Sequence, residues 1–333
     1  MATTIKQVAT AAGVSVATAS RALSGSNIVV EATIRRVHAA AAELQFTPSR
    51  LAKSLATGTT GNIGVVLPDV TNPFYTTFLA ALEATATAND LGILIGDSHE
   101  SVDLEWLLVQ RMSTQVDALV LASSRLADTA IVQVTARLPV VLANRRLDDP
   151  IPCPENLSQV VIDVGPGFAA AVRHLGNFGH RRIAYVDGPP ASWSGRRKRA
   201  VLESECSVLG FELAVVATTG RPDFSTGRLA ATDALDTGAT AVMVFNDQMA
   251  LGLLAGLRER GIRVPGDVSV IGCDDSLADG MAWPSLTTVD SSSHTLGILA
   301  AEALLQPSSG DAVRVPTRLI VRGSTAAAEH PPS

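Results

Sequence analysis

A chain of 333 residues with 47% hydrophobic and 17% charged side chains is globular, too long for one core, and predicts two or three domains. It shows no apolar run of roughly 18–20 residues and, in MATTIKQVATAAG, no secretory signal. Cys153, Cys206 and Cys273 stand far apart with no C-x-x-C pair, which argues against a disulfide frame or a zinc site. The expectation is a soluble cytoplasmic protein, without membrane partner, cofactor or metal, whose cysteines are small buried hydrophobes.

The formal charge of −6 is unevenly spread. Residues 1–60 carry Lys6, Arg21, Arg35, Arg36, Arg50 and Lys53 against Glu31 and Glu43, a net +4, which leaves −10 for the rest. A basic head on an acidic body fits a nucleic-acid-binding module joined to a separate body.

In chain order, Ile5, Val8, Ala9 and Ala12 fall on one stripe of a short helix. Gly13 supplies a tight turn, and Ser15 stands where an N-cap belongs, before a second periodic segment with Ala19 and Leu23. Two short helices joined at a glycine read as a helix-turn-helix, with an ordinary helical hairpin as the plain alternative. The outward face of the second helix is then Val16, Ala17, Ser20 and Arg21. Arg21 suits bidentate pairing with guanine, and Val16 and Ala17 suit close approach to a thymine methyl. A third helix over EATIRRVHAAAAELQF, with Ile34, Val37, Ala41 and Leu44 on one face, closes a small core. Its Arg35 and Arg36 face solvent or phosphates.

Pro48 ends that helix, and Thr57 to Gly61 has the composition of a linker. Between them Arg50 to Ala56 is either a plain interdomain linker or a two-turn helix, Leu51 and Leu55 on one side, that folds when two copies pair on DNA. In the second case Leu55 wedges between base steps in the minor groove.

From Asn62 the texture changes to buried apolar runs alternating with helical stretches such as Thr76–Asp90 and Gly167–Asn177. Candidate strands are 63–68, 93–96, 118–123, 139–144, 160–163, 182–188, 241–246 and 268–272. This is the pattern of parallel strands with crossover helices. Ligands bind outside the carboxyl ends of such strands, which selects Asp69, Asn72, Phe74, Ser123, Asn144, Arg145, Pro189, Asn246, Asp247, Asp274 and Asp275. No phosphate-binding glycine loop and no G-x-S-x-G elbow is present. His99 beside Glu100 and His180 in GHRR lack metal partners at helical spacing and read as solvated or structural. The run RRKR at 196–199 is either a solvated helix start or a set of cations aimed at the cleft.

These stretches together carry a resemblance. TIKQVATAAGVSVATASRAL, PSRLAKSLATG, IGVVLPDVTNPFY, GHRRIAYVDGP, FNDQMALGLL and VPGDVSVIGCDD with PSLTTV, in this order, resemble the lactose/galactose-repressor (LacI/GalR) family over essentially the whole chain. The resemblance implies an all-α helix-turn-helix headpiece (1–46), a hinge (47–60) and an α/β body (61–333) like a periplasmic sugar-binding protein. That body has two doubly wound parallel-sheet subdomains, about 61–160 with 291–320 and 161–290 with 321–333. It further implies a dimer on palindromic DNA and a small effector in the cleft. The implied DNA-facing residues are Ser15, Val16, Ala17, Thr18, Ser20, Arg21, Asn27, Arg50, Leu51, Ala52, Lys53 and Leu55. The implied effector residues are Asp69, Asn72, Phe74, Ser123, Arg145, Arg197, Lys198, Phe224, Asn246 and Asp274. Such a set suits a polyhydroxylated ligand: carboxylate and amide accept hydroxyls, and an aromatic stacks on an apolar ring face.

The chain also departs from the family. Val30 stands where a cap opens the third helix, leaving a ragged start or a cap through Asn27. Asn144 replaces an Asp before the Arg, Val164 an Asn, and Lys198 the effector-binding Arg, with Arg196 and Arg197 alongside. The tail GSTAAAEHPPS shows no tetramer-forming leucine repeat and is expected to be disordered, which favours a homodimer. The expected function is an effector-controlled transcriptional regulator, of repressor type and not an enzyme. The alternatives are a solute-binding protein or a sugar- or nucleoside-acting enzyme of related fold.

Overall fold

The computed structural model describes residues 3–23, 28–46, 58–148, 150–277, 281–307 and 310–328. The chain forms two compact units, Met1–Gly61 and Asn62–Ser333.

In the first unit three helices, α1 (Ile5–Ala11), α2 (Val16–Leu23) and α3 (Glu31–Glu43), surround one small core. Val8, Ala19, Ala22 and Val37 are fully buried there, with Ile5, Leu23, Ile34 and Leu44 packed against them. Thr4 and Gln7 close the start of α1, the Thr4 N–H donating to Gln7 Oε1 at 2.8 Å. Gly13 turns the chain with φ +63°, and nothing lies within 4 Å of where a Cβ would be. The left-handed conformation, not crowding, is what calls for glycine there. Ser15 Oγ accepts from the Thr18 N–H at 3.0 Å and caps α2. The third helix starts at Val30 with no side-chain cap, as expected for that departure. The alternative cap Asn27 lies outside the described residues, as do the hinge residues Arg50, Leu51, Ala52, Lys53 and Leu55.

The second unit opens with β1 (Asn62–Leu67), α4 (Pro73–Ala88), β2 (Gly92–Asp97), α5 (Val102–Met112), β3 (Ala118–Ala122), α6 (Asp128–Thr135), β4 (Val140–Ala143) and β5 (Leu157–Asp163). It continues through α7 (Gly165–Asn177), β6 (Arg182–Val186), α8 (Trp193–Leu209), β7 (Glu212–Val216), α9 (Phe224–Leu229), α10 (Ala231–Asp236), β8 (Ala241–Val244) and α11 (Asp247–Glu259). Last come β9 (Ser269–Asp274), β10 (Thr287–Asp290), α12 (Ser293–Leu305), β11 (Val313–Pro316) and β12 (Arg318–Ile320).

Two sheets result, in the orders β11-β5-β4-β3-β1-β2 and β12-β10-β9-β8-β6-β7. All pairings described are parallel except β10 with β12. Central strands β3, β4 and β8 are buried at every position, because helices cover both faces. One apolar core runs through both subdomains, from Phe78 and Leu82 on α4 to Phe168 on α7 and Tyr185 on β6. Each sheet's other face has its own core, around Leu119 and Ile131 in one and Leu253 and Val270 in the other.

The chain crosses between sheets after β5, after β10, and between β11 and β12. The first crossing comes after Asp163 and not at 160, since Val160 to Asp163 continue β5 in register with Val313 to Pro316. The third comes at Thr317 and not at 320, because Arg318 to Ile320 pair with β10. The expected disorder of the tail is corrected for residues 323–328. Ser324 is fully buried, donates to Val270 O (2.6 Å) and accepts from the Thr287 N–H (2.8 Å). Its small residues fit against β9 and β10, where their own hydroxyls and amides complete buried hydrogen bonds. None of the described helices is long and apolar enough to cross a membrane.

Candidate functional site

In the first unit, α2 presents an exposed face. Ala19 and Ala22 of α2 are buried, which leaves Val16 (45% exposed), Ala17, Ser20 and Arg21 on the opposite side, with Thr18 half-buried. Ser15, the cap, is also exposed. Small side chains at the start of a short helix let its backbone come close to another surface, and Arg21 supplies a fork of donors. Arg35 is exposed but pairs with Glu31 at 2.8 Å, so α3 offers less free cation than its composition indicates.

The second unit holds a narrow cleft between its two sheets, with a free volume of about 20 Å³, room for little more than a water molecule. From the first subdomain Asn72, Phe74, Tyr75, Glu100, Arg125 and Asn144 line it; from the second come Ser194, Lys198, Pro222, Phe245, Asn246 and Asp274. These residues follow strands β1 to β4 and β6 to β9 or end them, at the carboxyl edges of both sheets. Ser123, Asn144, Asp274 and Asp275 have positive φ, so the backbone is held in costly conformations around this cleft.

Two of the asparagines are also helix caps. Asn72 Oδ1 accepts from the Phe74 N–H (3.0 Å) and caps α4, where Pro73 follows. Asn246 Oδ1 accepts from the Met249 N–H (2.9 Å) and caps α11, while its amide donates to Pro222 O (2.8 Å). Both asparagines therefore cap helices while lining the cavity.

Lys198 settles which cation of RRKR faces the cavity. It is buried on α8, donates to Phe245 O (2.8 Å), lies 4.4 Å from the centre of the Phe245 ring and 3.9 Å from Asp274 Oδ1. Arg196 and Arg197 are exposed, so the expected contact from Arg197 is corrected: it lies one position off the buried face of the helix. The ring of Phe245 fits only because Gly188 opposes it; a Cβ there would collide with the ring. Burial works against the charge on Lys198, and Cys273 and Asp274 more than offset it, raising its pKa. Burial also raises the Asp274 carboxyl, opposed by Lys198 and the Ser291 hydroxyl.

On the facing wall Arg125 Nε and Nη2 donate to the two oxygens of Glu100 (2.8 and 3.1 Å), and Nη1 donates to Ser123 O (2.6 Å). Asn144 donates to Ser123 Oγ (3.1 Å), while its buried Oδ1 has no hydrogen-bond partner among the described residues.

Four other expected residues lie outside this lining. Arg145 is buried but turned into the first subdomain, donating to Ser124 O and to Asp128, because that carboxylate is its nearest counter-charge. Ser123 is used up supporting Asn144 and Arg125. Asp69 pairs with Arg221 (3.2 Å) across the mouth of the cleft. Phe224, 47% exposed, lines an adjoining groove with Thr71, Asp223, Ser225, Gln248 and Leu251.

Tyr75, Glu100, Arg125, Ser194, Pro222 and Phe245 are outside the expected set. Only Phe245, ending an apolar run before Asn246, carried a local signal. His180 is structural, its ring bonded to Thr240, Ser269 and Ala326 O, and His99 is exposed beside Asp97. Cys206 and Cys273 are buried and Cys153 is half-buried. Among the described residues no group of three or more His, Cys, Asp or Glu is placed to hold a metal ion.

With both sites in view, comparison with known proteins is decisive. Residues 4–49 match "Bacterial regulatory proteins, lacI family", and residues 172–325 match "Periplasmic binding protein-like domain". The HTH-type transcriptional regulator GalR of Escherichia coli (strain K12) is 34% identical over 316 residues, 91% of this chain and 88% of that relative. The chain belongs to the lacI family of bacterial regulatory proteins. It is a DNA-binding transcriptional regulator whose body has the periplasmic-binding-protein fold. HTH-type transcriptional repressor CytR of the same strain is 32% identical over 98% of this chain and 97% of its own. Among solved structures, the lac repressor dimer bound to operator and the anti-inducer ONPF superposes with a TM-score of 0.86 at 28% identity, covering 98% of this chain and 100% of that one. A LacI family regulator of Enterococcus faecium with bound ribose gives 0.69 at 26% identity, over 80% of this chain and 100% of the other.

Proposed function

We propose that this lacI-family regulator is a cytoplasmic homodimer that represses transcription from a palindromic operator and releases or tightens on it when a sugar-like metabolite occupies the body's cavity. Ser15, Val16, Ala17, Ser20 and Arg21 meet the half-site; Asn72, Phe74, Asn144, Lys198, Asn246 and Asp274 meet the effector. The observation that carries the reading is the cavity's dual lining: one wall comes from each subdomain. A ligand there makes contacts that depend on the angle between the subdomains, so it binds one angle better than another, and that difference is the free energy available for control.

The relatives support the reading. The lac repressor structure holds operator and a small anti-inducer, and the Enterococcus faecium regulator holds ribose. The protein works by binding and not by turnover: Asp274 and Lys198 neighbour each other, and Glu100 is bonded to Arg125. None of these groups is poised as a lone acid or base. Selection of duplexes from a randomised pool at near-physiological salt tests the DNA half of the proposal. Recovery of an inverted repeat is expected; a pool with no enriched repeat would contradict it.

A further inference from the structure

We infer that the Glu100–Arg125 ion pair in the cavity's wall makes it take neutral sugars and refuse their phosphorylated and carboxylated forms. This rests on the reading of the cavity as the effector site and narrows the class of ligand.

Charge decides it. Four formally charged groups line the cavity, two of each sign, and every one is balanced inside the wall. Arg125 grips both oxygens of Glu100, and the two side chains are only 3% and 10% exposed. Its remaining bond goes to Ser123 O. On the other wall Lys198 is spent on Phe245 O, the Phe245 ring and Asp274, again with both charged side chains under 10% exposed. An entering phosphate or carboxylate would lose its water and meet no surplus positive charge, so its desolvation would go uncompensated. Without Glu100, Arg125 would be such a surplus. The pair joins the ends of β2 and β3, and breaking it would turn the same pocket into an anion site.

What the wall does offer suits hydroxyl donors. Asn144 Oδ1 is a buried acceptor with no partner among the described residues, and an unpaired buried acceptor is costly until something donates to it. Asp274 is a second acceptor on the opposite wall. The rings of Phe74 and Phe245 supply apolar faces for a sugar's C–H face.

Calorimetric titration of the full-length protein tests this with matched pairs: D-ribose against D-ribose 5-phosphate, and D-galactose against D-galactose 6-phosphate and D-galacturonate. A neutral sugar is expected to bind at least about tenfold more tightly than its anionic counterpart. Glu100→Gln, folded by circular dichroism, is expected to move that ratio toward the anion by about tenfold. The double variant Glu100→Gln/Arg125→Met, neutral again, moves it back. Wild-type protein binding an anionic sugar as tightly as its neutral partner overturns the inference, as does binding none of the five, or a folded Glu100→Gln with an unchanged ratio. If Glu100→Gln does not fold, the wild-type ratios decide alone. Operator selection by the same wild-type preparation separates the two failures. Its loss counts against the regulatory reading, and its retention beside an anionic preference counts against this inference only.

Discussion

Asp247 follows the cap of α11 and is almost wholly buried. It accepts from Thr288 Oγ1 (2.6 Å) and from the Ser276 N–H (2.8 Å), tying the loop after β9 to β10. Burial, and then the charge of Asp274, push its carboxyl up from 3.8 to about 7. The unfolded chain releases this proton near 3.8, while the folded one keeps it to about 7. Across that window the folded state binds more protons. The group's stabilising contribution is complete below the lower value and is lost as pH rises through the upper one. Melting temperature followed from pH 5 to 8 should therefore fall by a component that Asp247→Asn removes; an identical slope in the variant would contradict this. Arg21 is the other residue with a sharp expectation. Arg21→Ala should weaken specific operator binding by about 1–3 kcal/mol and relax preference at one base pair per half-site, measured by competition across single-base operator variants. At this scale the sequence showed what followed a strand: Asn72, Asn246 and Asp274 sit at the ends of apolar runs. It could not show Glu100 with Arg125, since 25 residues separate a pair that only the β2–β1–β3 pairing brings together.

Helix α8 links the cleft's chemistry to its closure. Ser192 caps it, accepting from the Gly195 N–H at 3.1 Å, and the next residue, Trp193, reaches the other subdomain. Its indole Nε1 donates to Asp148 Oδ1 at 2.9 Å, and Arg196 Nη2 reaches Asp148 Oδ2 at 3.2 Å. Arg196 and Asp148 are about half exposed and their pair contributes little, whereas Trp193 is 5% exposed and its N–H has Asp148 as acceptor. The same helix carries Lys198 into the cavity, so what holds its first turn also positions a cation of the cavity wall. Asp148→Ala should cost about 1–3 kcal/mol in denaturant unfolding by orphaning the indole. It should also weaken sugar binding severalfold, because the closed form is less populated before the ligand arrives. Unfolding and titration curves matching wild type would refute the role. Elements were legible where burial is two-sided: β1, β3, β4, β6 and β8 are continuous apolar runs in the sequence. β7, β11 and β12 are edge strands with exposed positions, and β10 is TTVD, whose threonines are buried through Ser324 and Asp247 without an apolar signal.

At the scale of the molecule, polar bonds cross the cleft on both sides of the cavity. Asp148 meets Trp193, Asp69 meets Arg221, and Gln248 Nε2 donates to Thr71 O at 3.3 Å. A body built this way has a closed form with its own interactions, which a ligand can favour or disfavour. The division into a basic three-helix unit and an acidic body was readable from charge and texture alone, because each part buries its own core. The tail was not. Its small polar residues look unstructured until β9 and β10 provide their partners. If effector and operator communicate through one protein, thermodynamic reciprocity makes that coupling measurable. The most direct measurement is a closed cycle: operator affinity with and without a saturating sugar from the panel, and affinity for that sugar with and without operator. Two ratios that differ from one and equal each other are expected. Tight binding of both ligands with either ratio equal to one would contradict the coupling.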